Sequence, residues 1–156
     1  MLKEFDIQIR ELVEADFLEA AGVWHESRKK VATEMGFESE RAVTPEISLR
    51  VFREVIAVEN RIWGAVQENC IVGVLAINGS EIDRMYVRPS AQRCGIGTAL
   101  LQKARELSPS SLELFTHEAN RAARAFYEKH GFRPVRFGIS PPPESEPDIL
   151  YRWKPD

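Results

Sequence analysis

No stretch of this chain approaches the roughly 20 apolar residues that a membrane span requires. The first residues, MLKEFDIQIR, lack the apolar core of a secretory leader. Cysteine is scarce: Cys70 and Cys94 stand far apart with no metal-type spacing, which excludes a disulfide framework and the usual zinc motifs. Basic excess is missing too. With 21 Lys and Arg against 24 Asp and Glu, the net charge is −3 and the pI about 5.7, so neither a nucleic-acid backbone nor an anionic membrane surface is the expected partner. The expectation is a reduced, cytoplasmic protein without a metal. What remains is ordinary for one domain: 156 residues, 44% hydrophobic and 29% charged.

Hydrophobic periodicity divides the chain into strands and helices. FDIQIR (5–10) alternates as a strand. A helix follows from Asp16, with Phe17, Ala20, Ala21, Trp24 and Val31 on one face and a capping box from Asp16 to Glu19. The segment 32–43 reads as loose. Thr44 and Pro45 open a second helix as N-cap and first residue, with Ile47, Val51, Phe52, Val55 and Ile56 as its buried stripe. Residues 61–89 form a three-stranded meander. Its second turn, Asn78-Gly79, suits a type I′ hairpin, and Pro89 ends the third strand, EIDRMYV. A helix with Ile96, Leu100, Leu101, Ala104 and Leu107 inward is broken by SPSS (108–111). Strand LELFTH follows, then a helix over EANRAARAFYEKHGF with Ala119, Ala122, Ala123 and Phe126 on one face and Gly131 past its end. FRPVRFGI is an edge or bulged strand because of Pro134. A proline-rich loop (140–147) and the strand DILYRW close the chain. The result is a single α/β (α+β) domain, residues 1–156, with a mixed and mostly antiparallel sheet. EIDRMYV and LELFTH should run parallel through a right-handed crossover.

The segment QRCGIGT (92–98) places two glycines between a strand and a helix N-terminus. Uncapped N–H groups there, with the positive end of the helix dipole, suit a phosphate. The donors would be the backbone N–H groups of Cys94, Gly95, Ile96, Gly97 and Thr98, with Arg93 at the rim. A tight turn alone would explain the glycines equally well. A Walker loop is excluded by Gly97-Thr98-Ala99, and a dinucleotide fingerprint by Leu100 where a third small residue belongs.

MYVRPSAQRCGIGTALLQKA resembles the coenzyme A motif of the GNAT superfamily of N-acetyltransferases, [Q/R]-x-x-G-x-[G/A] between a strand and an amphipathic helix, through Gln92, Gly95 and Gly97. NRAARAFYEKHGF resembles that superfamily's second motif through Asn120, Ala123, Phe126, Tyr127, Gly131 and Phe132. The region 28–43 and the proline-rich loop carry no signature. The resemblance implies a sheet splayed around a coenzyme A cleft and flanked by helices. It implies acetyl-CoA as cosubstrate and direct transfer of the acetyl group to a primary amine of a small molecule or peptide. Pantetheine would lie along the backbone of Met85, Tyr86 and Val87, with Asn120 and Phe126 nearby. One backbone N–H there would hold the thioester carbonyl.

Tyr127 is the expected proton donor to the departing thiolate, or else a packed aromatic. Glu81 is the expected general base, with Asp83 as the alternative. Glu81, Asp83, Met85 and Val87 alternate onto one strand face. Cys94 reads as a filler and not a nucleophile, and His117 as incidental. Arg88, Arg121 and Arg124 are candidates for the 3′-phosphate. The acceptor site would come from the first two helices, segment 32–43 and the loop 140–147. Glu26, Glu34 and Glu38 hint at a cationic acceptor there, and Trp24, Phe37 and Trp63 at its walls. A homodimer is compatible with this reading. Alternatives are a transferase of another acyl-CoA and a non-catalytic acyl-CoA sensor.

Overall fold

A computed structural model describes residues 6–37, 43–92, 94–142 and 144–156. Strands β1 (Gln8–Glu11), β2 (Arg61–Gln67), β3 (Cys70–Asn78), β4 (Glu81–Val87), β5 (Leu112–His117), β6 (Arg133–Ile139) and β7 (Pro147–Trp153) form one seven-stranded sheet in the order β1-β2-β3-β4-β5-β7-β6. All neighbours are antiparallel except β4 and β5, which are parallel. Helices α1 (Phe17–Met35) and α2 (Pro45–Val51) cover one face, and α3 (Ile96–Leu107) and α4 (Arg121–Lys129) the other. β3 is buried from Ile71 through Ile77, as a run apolar on both faces requires. Mixed architecture and mostly antiparallel pairing both match the sequence reading.

Local chemistry accounts for most boundaries. Thr44 caps α2, its hydroxyl accepting from the Ile47 N–H at 3.2 Å, with Pro45 as the first residue. Asn120 caps α4 by accepting from the Ala123 N–H at 3.1 Å, and Gly131 follows that helix at φ +89°. Pro134 lies on edge strand β6, where the register shifts between Pro134 and Arg136.

Several expectations are corrected. β1 begins at Gln8, and Phe5 lies outside the described residues. Asp16 does not cap α1. It accepts from Arg10 and from the Val13 N–H across a 3-10 turn, while Glu19 accepts from the Ile71 N–H at 3.2 Å. α1 also runs further than its periodicity, to Met35, with Gly36 left-handed behind it. The second meander turn is Gly79-Ser80, with positive φ at Gly79 and not at Asn78. The residues that turn with positive φ in pairs are Glu68 and Asn69, in the first hairpin. On α4 it is Tyr127 that is buried, and Ala122 is exposed.

The stripe on α2 fails for a geometric reason. After Val51 the backbone widens into a π turn, Phe52–Ile56, before a last turn at Ala57–Glu59. The wider turn moves later side chains off the 3.6-residue period. Phe52 and Ile56 are buried at 1% exposure, while Val55 stands out at 43%; Ile47, equally exposed, precedes the widened turn.

Two predictions follow from this packing. Ile56→Ala should destabilise the protein by about 2–5 kcal/mol, whereas Val55→Ala should stay within about 0.5 kcal/mol, by urea unfolding. His25 is buried on α1, with Nδ1 2.7 Å from the Ser48 hydroxyl. Burial, with Lys29 and Arg28 beside it, holds its imidazole below the ordinary value. A depressed folded pKa means stability present above the unfolded value of about 6.5 and lost as pH falls below it. His130 is depressed by burial in the same sense. His25→Asn should therefore flatten, without abolishing, the stability loss below about pH 6.5 in unfolding titrations.

Candidate active site

β4 and β5 share one register pair, Glu81 with Glu113, and then diverge. β4 stays paired to β3 along its length, and β5 to β7. At the far end of β4 the Val87 carbonyl turns to other partners: the Ser27 hydroxyl at 2.9 Å and the Gln92 amide at 3.4 Å. The strand edges facing the opening past the first pair therefore lack a strand partner.

Two cavities meet at this opening. A gap of about 100 Å³ lies between the strands, closed on the helical side by Ala123 and Tyr127 of α4. A cleft of about 860 Å³ lies on the α1 and α2 side, bounded also by the β6–β7 loop. Both are lined by Asp83, Arg84, Tyr86, Phe115, Thr116 and Asn120, so they adjoin at the splay.

Tyr127 is 9% exposed and lines the gap, and its hydroxyl has no hydrogen bond to a described residue. Burial pushes its pKa well above that of a free phenol, so the group is a neutral donor throughout the physiological range. Its ring packs edge-on against Phe126 and Phe132. The packing reading of this residue is met, and its hydroxyl is left without a described partner.

The two carboxylates part company. Glu81 is exposed at the closed end of the splay and lines neither cavity. Asp83 lines both. The strict alternation expected for β4 is broken there, because Arg84 pairs with Ala76 and Ile82 with Ile77, leaving Asp83 as the extra residue of a β-bulge. Ile82, Met85 and Val87 consequently pack on the α3 side, and Tyr86 on the α1 side. Asp83 Oδ2 accepts from Asn60 Nδ2 at 2.9 Å and lies 3.8 Å from Arg84 Nε.

The glycine segment lies beyond the end of β4. Gly95 stands at φ +79°, a conformation that favours glycine, and a Cβ on it would meet nothing within 4 Å. Gly97 serves differently: its Cβ would lie 3.2 Å from the Phe126 ring, so its absence lets α3 approach α4. No side chain caps α3, and the first intrahelical bond runs from Ala99 N–H to the Gly95 carbonyl at 3.0 Å. The N–H groups of Ile96, Gly97 and Thr98 are left for a ligand. Thr98 and Cys94 are exposed, and Ile96 is core. Gln92 is held by Lys30 at 2.9 Å. Arg93 and Glu38 lie outside the described residues.

Other expected residues have local partners. Arg88 pairs with Glu26, Glu34 with Lys30, and Arg124 with Tyr151 and Glu128. Arg121 is exposed. Glu26 and Glu34 do not line the cleft, and Trp63 packs away from it under Arg61 and Lys103. Trp24 and Phe37 do line it, as do segments of α1, α2 and the β6–β7 loop. Sequence reasoning missed Arg84, Phe115, Arg136 and Asp148, and set His117 aside. All five line the cleft, and only the strand order brings them together.

A family model described as "Acetyltransferase (GNAT) domain" matches residues 58–134, which include both motifs. Over 76 residues the chain is 33% identical to the peptidyl-lysine N-acetyltransferase YjaB of Escherichia coli K12, covering 48% of this chain and 51% of YjaB. In sequence the chain thus spans about half the length of that relative. The uncharacterized N-acetyltransferase YafP of the same organism is 27% identical over 131 residues, 84% of both chains. In structure, apo YjaB matches with a TM-score of 0.78 at 22% identity, covering 95% of this chain and 97% of that one. The PaiA N-acetyltransferase of Thermoplasma acidophilum, solved with coenzyme A, matches with a TM-score of 0.69 at 22% identity over 96% and 99% of the chains. With motifs, matched domain and splayed sheet in agreement, the chain belongs to the GNAT superfamily of N-acetyltransferases.

Proposed function

We propose that the protein transfers an acetyl group directly from acetyl-CoA to a primary amine. The observation that carries this is the pair of cavities that adjoin where β4 and β5 splay apart. One substrate can lie along β4 from the α3 N-terminus into the gap, and a second can reach it from the cleft on the opposite face. The residues fit coenzyme A. Uncapped N–H groups at α3 suit its pyrophosphate, and the unpaired edge of Met85–Val87 suits the amides of pantetheine, as an added strand would. The acetyl thioester then supplies the electrophile.

Roles follow from placement. The amine enters from the cleft as an ammonium, since a lysine-type amine has a pKa of about 10.4. Asp83 takes up the proton, directly or through water, because it faces both cavities and its Oδ1 has no described protein partner. This moves the base from Glu81 to Asp83. A β4 backbone N–H at the gap holds the developing oxyanion. Tyr127, neutral and otherwise unpartnered, hydrogen-bonds the departing sulfur. No thiol is needed, and Cys94 contributes its backbone alone.

Three outcomes test the proposal. Gly95→Ala should cost about 1–2 kcal/mol for the left-handed backbone, and Gly97→Glu should abolish acetyl-CoA binding in calorimetry while circular dichroism stays folded. Tyr127→Phe should lower kcat by roughly 10²–10⁴-fold, with acetyl-CoA affinity held and no acetylated Cys94 in mass spectra. Asp83→Asn should lower kcat/KM by at least about 10²-fold at pH 7, the deficit shrinking as pH nears the amine's own pKa of about 10.4. Glu81→Gln should change far less, and the reverse order would return the base to Glu81.

A further inference from the structure

The outer floor of the cleft is a sheet face made by β5, β7 and β6. His117 pairs directly with Asp148, and Asp148 with Gly138. Arg136 stands two residues from Gly138, on the same face. Asp148 is 9% exposed, yet its carboxylate has neither a hydrogen bond nor an ion pair with a described residue. It lines the cleft with an unpaired negative charge, whose natural complement is a cation supplied from there. Gly138 leaves it uncovered: a Cβ there would sit 3.4 Å from Oδ1. Arg136 likewise has no ion pair with a described residue, and His117 Nδ1 is buried without a partner. Each of the three lines the cleft.

An unpartnered carboxylate and an unpartnered guanidinium, close together on one sheet face, complement a ligand carrying both charges on neighbouring atoms. We propose that the acceptor is a free diamino acid. Its α-ammonium is held by Asp148, with Glu144 of the β6–β7 loop also on the cleft wall. Its α-carboxylate is held by Arg136, and His117 contributes a further hydrogen bond. The side-chain amine is the one acetylated. The reach agrees. His117 lies two residues along β5 from Phe115, which lines the gap, or about 6.6 Å at 3.3 Å per residue. An extended ornithine or lysine side chain spans on the order of 5–6 Å from α-carbon to amine by standard bond lengths. Arg28, Arg84 and Asp83 are the other charged groups facing the cleft. Asp83 and Arg84 lie at the gap end, with the reacting amine.

This inference rests on the acetyltransferase reading, and the test separates the two. Coenzyme A release by the full chain is measured with L-ornithine, L-lysine, cadaverine and Nα-acetyl-L-lysine N-methylamide, beside calorimetry of acetyl-CoA binding. One free diamino acid should exceed cadaverine and the blocked lysine in kcat/KM by roughly 10–100-fold, the worth of a charge-assisted hydrogen bond. Arg136→Gln should bring its ratio to cadaverine towards one. Asp148→Asn should do the same against the blocked lysine, and if that variant fails to fold, Arg136→Gln decides alone. Equal rates on all four amines, or preference for the blocked lysine, overturn the diamino acid and leave the acetyltransferase standing. Acetyl-CoA binding with none of the four consumed overturns the diamino acid as well. No acetyl-CoA binding overturns both.

Discussion

A single register pair between two parallel strands is the constraint on which the site depends. A sheet edge offers N–H and C=O groups that must find partners. By pairing only at Glu81 and Glu113, β4 and β5 leave such groups facing each other across a wedge. Closing the wedge with further ladder bonds would stabilise the sheet and remove the opening. The opening is held from outside instead. β5 is tied to β7 through six register pairs, while the end of β4 is drawn towards α1, where one Ser27 hydroxyl lies 2.8 Å from the Val23 carbonyl and 2.9 Å from that of Val87. The unsatisfied edges are then a property of two well-anchored half-sheets.

The anchoring extends into both core layers. On one face, Gly73 of β3 lets α3 settle onto the sheet: a Cβ there would lie 2.8 Å from Ile96 and 2.9 Å from Leu100. Those two side chains are buried at 1% and 0% exposure, so the helix whose N-terminus forms the cradle has little freedom to shift. Gly97 then admits Phe126, and Phe126 meets Tyr127 edge-on. Cradle and gap are thus connected by close packing through glycines. A substitution at Gly73 would shift the α3 N-terminus from a distance.

Much of this was legible in the residues. The two glycines, the helix cap at Thr44 and the meander follow from local chemistry, which needs no tertiary context. The far wall of the cleft was not legible, because its parts are non-local. Arg136, Asp148 and His117 meet only because β7 inserts between β5 and β6, a strand order that no local signal specifies. Strict alternation put Glu81, Asp83, Met85 and Val87 on one strand face. That argument fails once a bulge adds a residue, and alternation contains no sign of where a bulge falls. The π turn deceived in the same way: Val55 fits a 3.6-residue stripe, and the widened turn carries it out to solvent.

Those two irregularities are connected. The π turn places Phe52 under the cleft wall, 5.4 Å from the ring of Phe17 and 6.4 Å from that of Trp24. Trp24 is covered in turn by the guanidinium groups of Arg28 at 4.6 Å and Arg84 at 5.2 Å, so the position of the wall is set from below by the widened turn. The same segment ends at Asn60, whose side-chain amide lies 3.0 Å from the Ile56 carbonyl and 2.9 Å from Asp83 Oδ2. An unbroken α-helix would bring the residue after Glu59 round at a different angle, and Asn60 would no longer point at the bulge. One departure from regular helix therefore holds the carboxylate that a departure from regular strand exposes. The open sheet gains a positioned carboxylate from irregularity in both a strand and a neighbouring helical segment, where ideal elements would have left Asp83 paired in register and without a fixed partner.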